Sequence, residues 1–394
     1  MVRWVIGCVF VAATGWATPL AAAADDPIEL ERVWQHTLVV FPQNPADVTT
    51  RGRNLERALG RYKITRKLPA VIFAHGCTGL SLGSKQTTHL IPELAKAGFV
   101  VFAPDGLERP REPYCYYRGD GSLIANSDTQ SIPNRIAEVR STLERIRRFE
   151  WIDTENVFLA GHSHGGNTVV RYPYRDFRAM VAFGWNCPRL TVNWFLNGFD
   201  VPHGIPLLTI FGGSDEILAV HNPGVHCGQV SAMRSDPDRV SVVLEGRPHD
   251  VHADPEAMPM AIAFLRRYAT RRIEPVAPVI AQPSSLYDGT WSGRLECPAF
   301  RTSREIRLDV KLNVRDGRFS WRVTVPAGVR GFDGLVDRNG LFSARAYIGR
   351  NGSLTAEEGA ASWKIAFEGL AAGTQISADG VWADQPCSLV VRRP

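Results

Sequence analysis

The sequence predicts an α/β protein with a mostly parallel sheet, followed by a small antiparallel β domain. Two observations predict this arrangement. Between about residues 68 and 270, short continuous apolar runs alternate with segments of helical periodicity, a pattern typical of a parallel sheet covered by helices. After residue 285 the apolar residues recur at every second position, as in half-buried antiparallel strands.

These changes of pattern divide the 394-residue chain into four predicted parts. They are a signal peptide at 1–24, an α/β domain at 25–272, a proline-rich linker at 273–285, and an antiparallel β accessory domain, barrel or sandwich, at 286–394.

The amino terminus has the three regions of a secretory signal peptide. Arg3 supplies the positive charge, an apolar core runs over 4–13, and small residues at 21–24 precede Asp25. The apolar run is too short to span a bilayer, so we expect no stable membrane insertion. The pattern predicts a periplasmic or secreted protein with a cleavable, bacterial-type signal.

The net charge of +5 is mild, and the arginines are scattered along the chain rather than clustered. A nucleic-acid-binding protein normally carries a basic patch or stripe. The composition therefore argues against a nucleic-acid partner.

The α/β part has six predicted buried strands and four predicted helices. The strands are expected at 68–74, 99–103, 157–160, 180–183, 205–211 and 240–244, and the helices at 85–97, from about 133, 167–172 and 255–267. The residues before them, 25–68, show little pattern apart from an edge strand at 37–41.

The β domain begins with a strong hairpin signal. Alternating apolar residues lead into Asp316-Gly317 and continue beyond it, and this dipeptide favours a tight turn. Asn339-Gly340 and Asp379-Gly380 suggest further hairpins. In a closed meander the first and last strands are neighbours, so we expect a disulfide between Cys297 and Cys387.

A candidate nucleophile follows the 157–160 strand, in Gly161-His162-Ser163-His164-Gly165. A strand that turns sharply into a helix holds its middle residue in a strained conformation, and this conformation requires small neighbours. The pattern predicts that the Ser163 hydroxyl projects clear of the sheet. Metal binding by the His162–His164 pair is not expected, because no third ligand accompanies it.

A serine nucleophile needs a base, and the base needs an acid that orients it. Two later strands end in suitable residues: Asp215 follows 205–211, and His249 follows 240–244. The predicted triad is therefore Ser163, His249 and Asp215. Alternatives remain open: Glu216 or Asp200 as the acid, and His252 as the base.

An oxyanion hole requires two backbone N–H groups aimed at the developing negative charge. The residue after the nucleophile, His164, is expected to supply one of them. The loop after the 68–74 strand is expected to supply the other, from Cys77, with Thr78 as the next choice.

Four motifs in order, VIFAHGCTG, GHSHGG, FGGSDE and GRPHD, resemble the dienelactone-hydrolase-like branch of the αβ-hydrolases. The resemblance covers about residues 60–270 and implies the αβ-hydrolase fold with a Ser or Cys triad and no cofactor. Dienelactone hydrolases proper carry a cysteine nucleophile. Ser163 at this position favours a general carboxylic-ester hydrolase, and the β domain lies outside the resemblance.

Three aromatic residues are candidates for lining the substrate site. Tyr114 and Tyr117 lie on the loop after the 99–103 strand, and Trp185 follows the 180–183 strand; packing beneath a loop is the alternative for all three. The remaining cysteines suggest the pairs Cys77–Cys115 and Cys187–Cys227, against the alternative that Cys77 and Cys115 are free thiols.

The sequence thus predicts an exported serine hydrolase that cleaves a small-molecule or polymeric ester through an acyl-enzyme, without a metal or cofactor. Two alternatives remain: a serine peptidase of the prolyl-oligopeptidase kind, and a non-catalytic protein that binds its target through the β domain. The sequence predicts no oligomeric state.

Overall fold

The computed structural model describes most of the chain after residue 24. The described ranges are 25–45, 50–60, 62, 64–80, 86–109, 115–117, 123–125, 131–187, 199–217, 226–251, 254–276, 283–299, 304–325, 328–338, 340–349, 365–382 and 385–394. The predicted signal peptide and residues 277–282 of the predicted linker lie outside them.

The described α/β part contains nine strands. They are β1 Leu38–Val40, β2 Leu68–Ala74, β3 Val100–Ala103, β4 Cys115–Tyr117, β5 Leu123–Ala125, β6 Ile152–His162, β7 Met180–Phe183, β8 Leu207–Gly212 and β9 Arg239–Leu244. Seven of them form one sheet in the order β1-β3-β2-β6-β7-β8-β9, and β4 pairs with β5 separately.

Helices cover this sheet. They are α1 Pro27–His36, α2 Leu55–Leu59, α3 Ile91–Lys96, α4 Ser131–Ile146, α5 His164–Val170, α6 Ser231–Arg234 and α7 Ala257–Arg267. A π-helical turn, Gln86–Leu90, leads into α3.

The large sheet is parallel from β3 to β9, and only β1 runs antiparallel, at the β3 edge. All seven residues of β2 are buried, and one apolar cluster packs on each face of the sheet. Continuous apolar runs are expected where a strand is covered on both faces. The predicted αβ-hydrolase architecture is confirmed, and the carboxyl ends of its parallel strands lie along one edge.

The amino-terminal segment contains more structure than its weak pattern suggested. Helix α1 occupies Pro27–His36, and the Asp26 carboxylate caps it by accepting the Ile28 N–H at 2.9 Å. Aspartate before proline at a first helical position is a standard start signal for a helix. The expectation of an unpatterned lead-in was therefore wrong for this stretch.

The β domain contains eight described strands in one antiparallel sheet. They are β10 Gly289–Cys297, β11 Ile306–Val314, β12 Arg318–Val325, β13 Gly328–Val336, β14 Leu341–Gly349, β15 Ile365–Ala372, β16 Gln375–Trp382 and β17 Gln385–Arg392. Their order is β11-β10-β17-β16-β15-β14-β13-β12.

The two ends of this sheet meet at one hairpin turn. The strands at its two ends, β11 and β12, are consecutive in the chain, and Arg315 and Arg318 exchange backbone hydrogen bonds of 2.8 and 2.9 Å at their turn. The turn residues Asp316 and Gly317 have φ values of 49° and 69°, which a tight hairpin turn with two left-handed residues requires.

The other hairpin signals had different outcomes. Gly340, with φ of 78°, lies directly before β14, and Asn339 is outside the described residues. The Asp379-Gly380 prediction was wrong, because both residues lie inside β16 and pair with Ser388 and Cys387 of β17. The turn before β16 instead uses Gly373, with φ of 55°.

The predicted disulfide of the β domain is present. Cys297 in β10 and Cys387 in β17 form an S–S bond with a Cα–Cα distance of 4.1 Å, and these two strands are hydrogen-bonded neighbours. One apolar cluster packs around this bond and includes Trp291, Phe332 and Phe342, each with no exposed surface. Among the described residues of the whole chain, no helix is long and apolar enough to cross a membrane.

Candidate active site

Ser163 lies at the turn where β6 ends and α5 begins. Its backbone has φ of 57° and ψ of −120°, one of two positive φ values among the described non-glycine residues. Such a conformation costs about 1–3 kcal/mol and persists only where the surroundings enforce it. The Ser163 N–H donates to Phe183 O at 2.9 Å, and Ser163 O accepts from Asn167 N at 3.0 Å.

The two glycines around the serine allow this turn to pack. A Cβ on Gly161 would overlap the backbone oxygen of Gly165, and a Cβ on Gly165 would overlap the backbone oxygen of Ala74 at the end of β2. The predicted need for small residues on both sides of Ser163 therefore has a steric cause in the neighbouring backbone.

Asp215 and His249 are joined by a short hydrogen bond. His249 Nδ1 lies 2.7 Å from Asp215 Oδ2, and both residues are buried. The second carboxylate oxygen of Asp215 accepts the Ile217 N–H at 3.1 Å. Among the three carboxylates considered for the acid, Asp215 thus makes the contact with this histidine.

Two backbone hydrogen bonds bring the Asp215 and His249 loops together beyond the ends of β8 and β9. Gly213 N–H donates to Leu244 O at 2.9 Å, and Ser214 N–H donates to Arg247 O at 3.0 Å. Since β8 and β9 are parallel neighbours, their following loops begin side by side. The acid and the imidazole are consequently placed by the sheet rather than by long loops.

The contact between nucleophile and base is not formed in this structure. Among the described residues, no hydrogen bond joins the Ser163 hydroxyl to the His249 ring; in unliganded sites such contacts often tighten only when substrate binds. The His162 ring lies beside His249, with 5.2 Å between the two ring centroids. His162 Nε2 is also 3.8 Å from Asp250 Oδ1.

The loop after β2 lies directly against the nucleophile. A Cβ on Gly76 would be 3.0 Å from Ser163 Cβ, and the Gly76 N–H already donates to Gln86 Oε1 at 2.7 Å. Because its N–H is already hydrogen-bonded, Gly76 is not available as an oxyanion donor. The next backbone N–H along the chain is that of Cys77, the predicted donor. His164, the other predicted donor, is the first residue of α5.

Two buried histidines lie behind this loop. Burial, with the nearby Arg135 and His75, lowers the pKa of His164 to about 3. Burial also lowers the pKa of His75, Arg135 adds to this effect, and Asp105 opposes it. His75 receives the Gly106 N–H on Nε2 at 3.2 Å and lies with Nδ1 2.8 Å from Gly76 O. Both rings are therefore neutral near neutral pH.

Because His164 is neutral in the folded protein, we expect the free energy of unfolding to fall as the pH is lowered below 6.5. Its folded pKa lies below its usual value of 6.5, so above pH 6.5 neither state is protonated and the group contributes nothing to pH dependence. Between pH 6.5 and 4.5 the unfolded chain takes up a proton that the folded chain does not, which lowers the free energy of unfolding by about 2 kcal/mol. The His164→Gln variant should lose this increment.

Urea unfolding at pH 6.5 and 4.5 measures the difference, because the comparison between pH values removes the direct cost of the substitution. The control is Thr209→Val, a substitution of a buried side chain that carries no titrating group and should leave the pH dependence unchanged. Equal pH dependence in wild type and His164→Gln would contradict a neutral, buried His164.

The other residues proposed from sequence have mixed outcomes. Tyr114 and His252 lie outside the described residues, and only the backbone of Tyr117 is described, in β4. Trp185 is buried in the core and packs beside Gly166 of α5, so its role in substrate binding stays a prediction.

The predicted disulfides of the α/β domain agree with the structure where both cysteine side chains are described. Cys187 and Cys227 are bonded, with an S–S length of 2.08 Å and a Cα–Cα distance of 4.6 Å. Cys77 is disulfide-bonded, which rules out a free thiol there. The side chain of its predicted partner, Cys115, lies outside the described ones, so that pairing remains a prediction. In the described part of the chain, no three His, Cys, Asp or Glu side chains group as a metal site.

A buried ionic cluster behind the loop after β2 was not predicted from sequence. It consists of Glu29, Arg109, Arg135 and Glu138, all at most 6% exposed. Arg109 contacts Glu29 and Glu138, each at 2.8 Å, and Arg135 Nη1 contacts Glu138 at 2.5 Å. Arg135 Nη2 donates to His75 O at 3.1 Å. The cluster thus connects α1 and α4 to the loop beside Ser163.

A family model and several solved structures are similar to parts of this chain. Residues 57–224 match the model of the dienelactone hydrolase family. A putative dienelactone hydrolase from Klebsiella pneumoniae has a similar solved structure at 18% identity, covering 52% of this chain and 89% of that one with a TM-score of 0.40. A phospholipase/carboxylesterase from Dyadobacter fermentans is similar at 15% identity, covering 59% and 96%, with a TM-score of 0.36.

A curated relative shares a shorter stretch. Carboxypeptidase M of Mus musculus is 30% identical over 92 residues, which is 23% of this chain and 21% of that protein. The chain therefore spans about a fifth of the length of this relative. Residues 57–224 are thus similar to the dienelactone hydrolase family, and the sheet order and the strand–turn–helix at Ser163 are those of an αβ-hydrolase fold.

Proposed function

We propose that the protein is a carboxylic-ester hydrolase that works through an acyl-enzyme on Ser163, with His249 as the base and Asp215 as its orienting acid. The observation that carries this proposal is the buried 2.7 Å contact between His249 and Asp215, placed at the same edge of the sheet as the strained Ser163 turn. The family match to dienelactone hydrolases, whose name denotes hydrolysis of a lactone ester, supports it.

The Asp215 carboxylate determines how His249 acts. A carboxylate only accepts hydrogen bonds, so the contact at Nδ1 places the ring proton there and leaves the lone pair on Nε2. As the Ser163 oxygen attacks the ester carbonyl, Nε2 takes its proton. Asp215 then stabilises the imidazolium that results.

The tetrahedral intermediate carries a negative oxygen, which backbone N–H groups of Cys77 and His164 would bind. Donors fixed in advance for such an oxygen are commonly the largest single contribution to catalysis. Collapse of the intermediate breaks the bond to the alcohol, which leaves with the proton from His249. Water then attacks the acyl-enzyme by the same route and releases the acid.

The substrate is expected to be a small-molecule or polymeric ester rather than a dienelactone specifically, because Ser163 occupies the position at which dienelactone hydrolases proper have cysteine. A similar structure carries the name phospholipase/carboxylesterase, which fits a general ester substrate.

The disulfides support export. Cys187–Cys227, Cys297–Cys387 and the bonded Cys77 are typical of an oxidising compartment such as the periplasm or the exterior. This agrees with the signal pattern at 1–24.

The β domain is proposed to be an accessory module. Its described interior is filled by packed side chains such as Trp291, Phe332 and Phe367, so a ligand would bind on its outer surface. The alternative of a purely non-catalytic binding protein predicts an unreactive Ser163, and the experiment below tests it directly.

A serine-directed fluorophosphonate tests the proposal. The mature protein should be labelled at Ser163, as located by peptide mass spectrometry, and labelling should be lost in Ser163→Ala and strongly reduced in His249→Ala. Ser292→Ala, an exposed serine of the β domain, serves as the matched control and should label like wild type. A well-folded wild type that is not labelled would overturn the proposal.

The same samples separate esterase from peptidase. Turnover of a p-nitrophenyl ester without turnover of the matching p-nitroanilide supports the esterase, whereas faster cleavage of the anilide would support a serine peptidase.

A further inference from the structure

The side chain of Gln86 contacts the loop after β2, here called the oxyanion loop (residues 75–79), on both sides of Cys77. Its Oε1 accepts the Gly76 N–H at 2.7 Å, and its Nε2 donates to the Thr78 hydroxyl at 2.8 Å. Gln86 is 2% exposed and is the first residue of the π-helical turn before α3. A single buried carboxamide therefore holds the residue before Cys77 and the residue after it.

The chemistry of the two contacts fixes the orientation of this carboxamide. The Gly76 N–H can only donate, so it must face Oε1, and the Thr78 hydroxyl can accept from Nε2. A flipped amide would place two donors against each other at Gly76 and lose that hydrogen bond. The Gln86 side chain thus has one well-satisfied arrangement.

The loop has little freedom to move without disturbing the nucleophile. A Cβ at Gly76 would meet both Ser163 Cβ, at 3.0 Å, and Gln86 Nε2, at 3.4 Å. The Gly76 backbone is therefore packed between the serine and the glutamine. A small rotation of the Gly76–Cys77 peptide would change the direction of the Cys77 N–H relative to Ser163.

We propose that Gln86 is a positioning residue for the oxyanion hole: it holds Gly76 through the backbone N–H and Thr78 through the hydroxyl, and so restrains the segment between them in which the Cys77 N–H is aimed at the developing oxyanion. Gln86 does not touch the substrate in this scheme. The inference rests on the proposed function, because it has meaning only if Ser163 is acylated. Its effect is expected in the transition state, where the negative oxygen forms, and not in ground-state binding.

The first test is Gln86→Met, which keeps the size of the side chain and removes both hydrogen bonds. We expect kcat for a p-nitrophenyl ester to fall about 10- to 100-fold, somewhat less than for loss of a whole oxyanion donor, with KM within about 2-fold of wild type. The pH at which kcat/KM is half-maximal should stay the same, because the His249–Asp215 pair is not altered.

The matched control is Gln43→Met. Gln43 is also a buried glutamine, but it follows β1, which runs antiparallel to β3. It therefore lies near the end of the sheet where the parallel strands begin, opposite Ser163. We expect this variant to keep wild-type kcat even if its stability falls.

A second variant keeps the test decisive if Gln86→Met does not fold. Thr78 is exposed, and Thr78→Val removes only the contact from Gln86 Nε2. It should lower kcat about 3- to 10-fold, again with unchanged KM, as expected for a partly loosened oxyanion loop.

The outcomes separate this inference from the proposed function. If wild type is not labelled at Ser163 by the fluorophosphonate, the proposed function fails. If wild type is labelled and active, but folded Gln86→Met or Thr78→Val keeps kcat within about 2-fold of wild type, the positioning role alone is overturned. A rise in KM with unchanged kcat would also overturn it, since that result assigns the contact to ground-state binding.

Discussion

The Asp215→Asn variant is expected to lower kcat for a simple ester by about 10⁴-fold near neutral pH. The carboxylate accepts a hydrogen bond from His249 Nδ1 across 2.7 Å and so keeps the ring proton on Nδ1 and off Nε2. An asparagine in the same place can donate through its amide nitrogen, which favours the opposite tautomer. The Nε2 atom would then carry a proton and could not accept one from Ser163.

Steady-state kinetics at pH 7.5 measure this loss, and circular dichroism verifies that the variant is folded. Glu216→Gln is the matched control, because Glu216 is the neighbouring carboxylate, is exposed, and was an alternative for the acid. It should keep kcat within about 2-fold of wild type. A large loss in Glu216→Gln together with near-normal Asp215→Asn would reverse the assignment.

The sheet and the serine turn were predictable because their signals are local. Strand β2 is an unbroken apolar run, and the glycines around Ser163 are adjacent to it in the chain. The positions of Asp215 and His249 follow from the same reasoning, since each comes directly after a strand of a parallel sheet, and such strands end along one edge.

Asp379-Gly380 shows where a local signal loses to long-range pairing. The dipeptide favours a turn, yet Ala378 and Gly380 are buried in β16 and pair with Leu389 and Cys387. The burial of this face, together with the neighbouring disulfide of Cys387, determines the register. Neither is visible in the dipeptide itself.

Most contacts of the ionic cluster join residues that are distant in the chain, and the contacts of Gln86 with Gly76 and Thr78 cross a loop, so no helix or strand spacing indicates them. Arg109 meets Glu29 across 80 residues, and Arg135 meets His75 across 60. One signal was available: Arg135 falls on the same helical face as Ile132 and Val139, and a charge on an apolar stripe of a helix implies a buried partner. The i, i+3 spacing to Glu138 identifies one such partner.

The second large effect is expected on stability, from a substitution in the buried ionic cluster. Arg135→Met is expected to lower the free energy of unfolding by about 3–5 kcal/mol, because it removes a cation from a site with almost no solvent and leaves negative charge in excess. Glu138 keeps its 2.8 Å contact with Arg109, which places the expected value at the lower end of this range. The variant also loses the hydrogen bond from Arg135 to His75 O.

The decisive measurement is a double-mutant cycle with Glu138→Gln, followed by urea unfolding. In the wild-type background Glu138→Gln should destabilise, because two buried cations, Arg109 and Arg135, then remain with one buried anion, Glu29. In the Arg135→Met background the same change should stabilise, since it restores one cation and one anion in the buried site. Lys96→Met, which removes an exposed ion pair with Glu93, should change stability by at most about 1 kcal/mol.

The informative quantity is the sign of the stability change caused by Glu138→Gln in the Arg135→Met background. If charge balance in a buried site governs stability, Glu138→Gln must change from harmful to helpful when Arg135 is absent. If the side chains act mainly by filling space, the two substitutions should add, and Glu138→Gln should destabilise to the same extent in both backgrounds. Additivity within about 0.5 kcal/mol would therefore show that packing, rather than charge pairing, holds α4 against the loop beside Ser163.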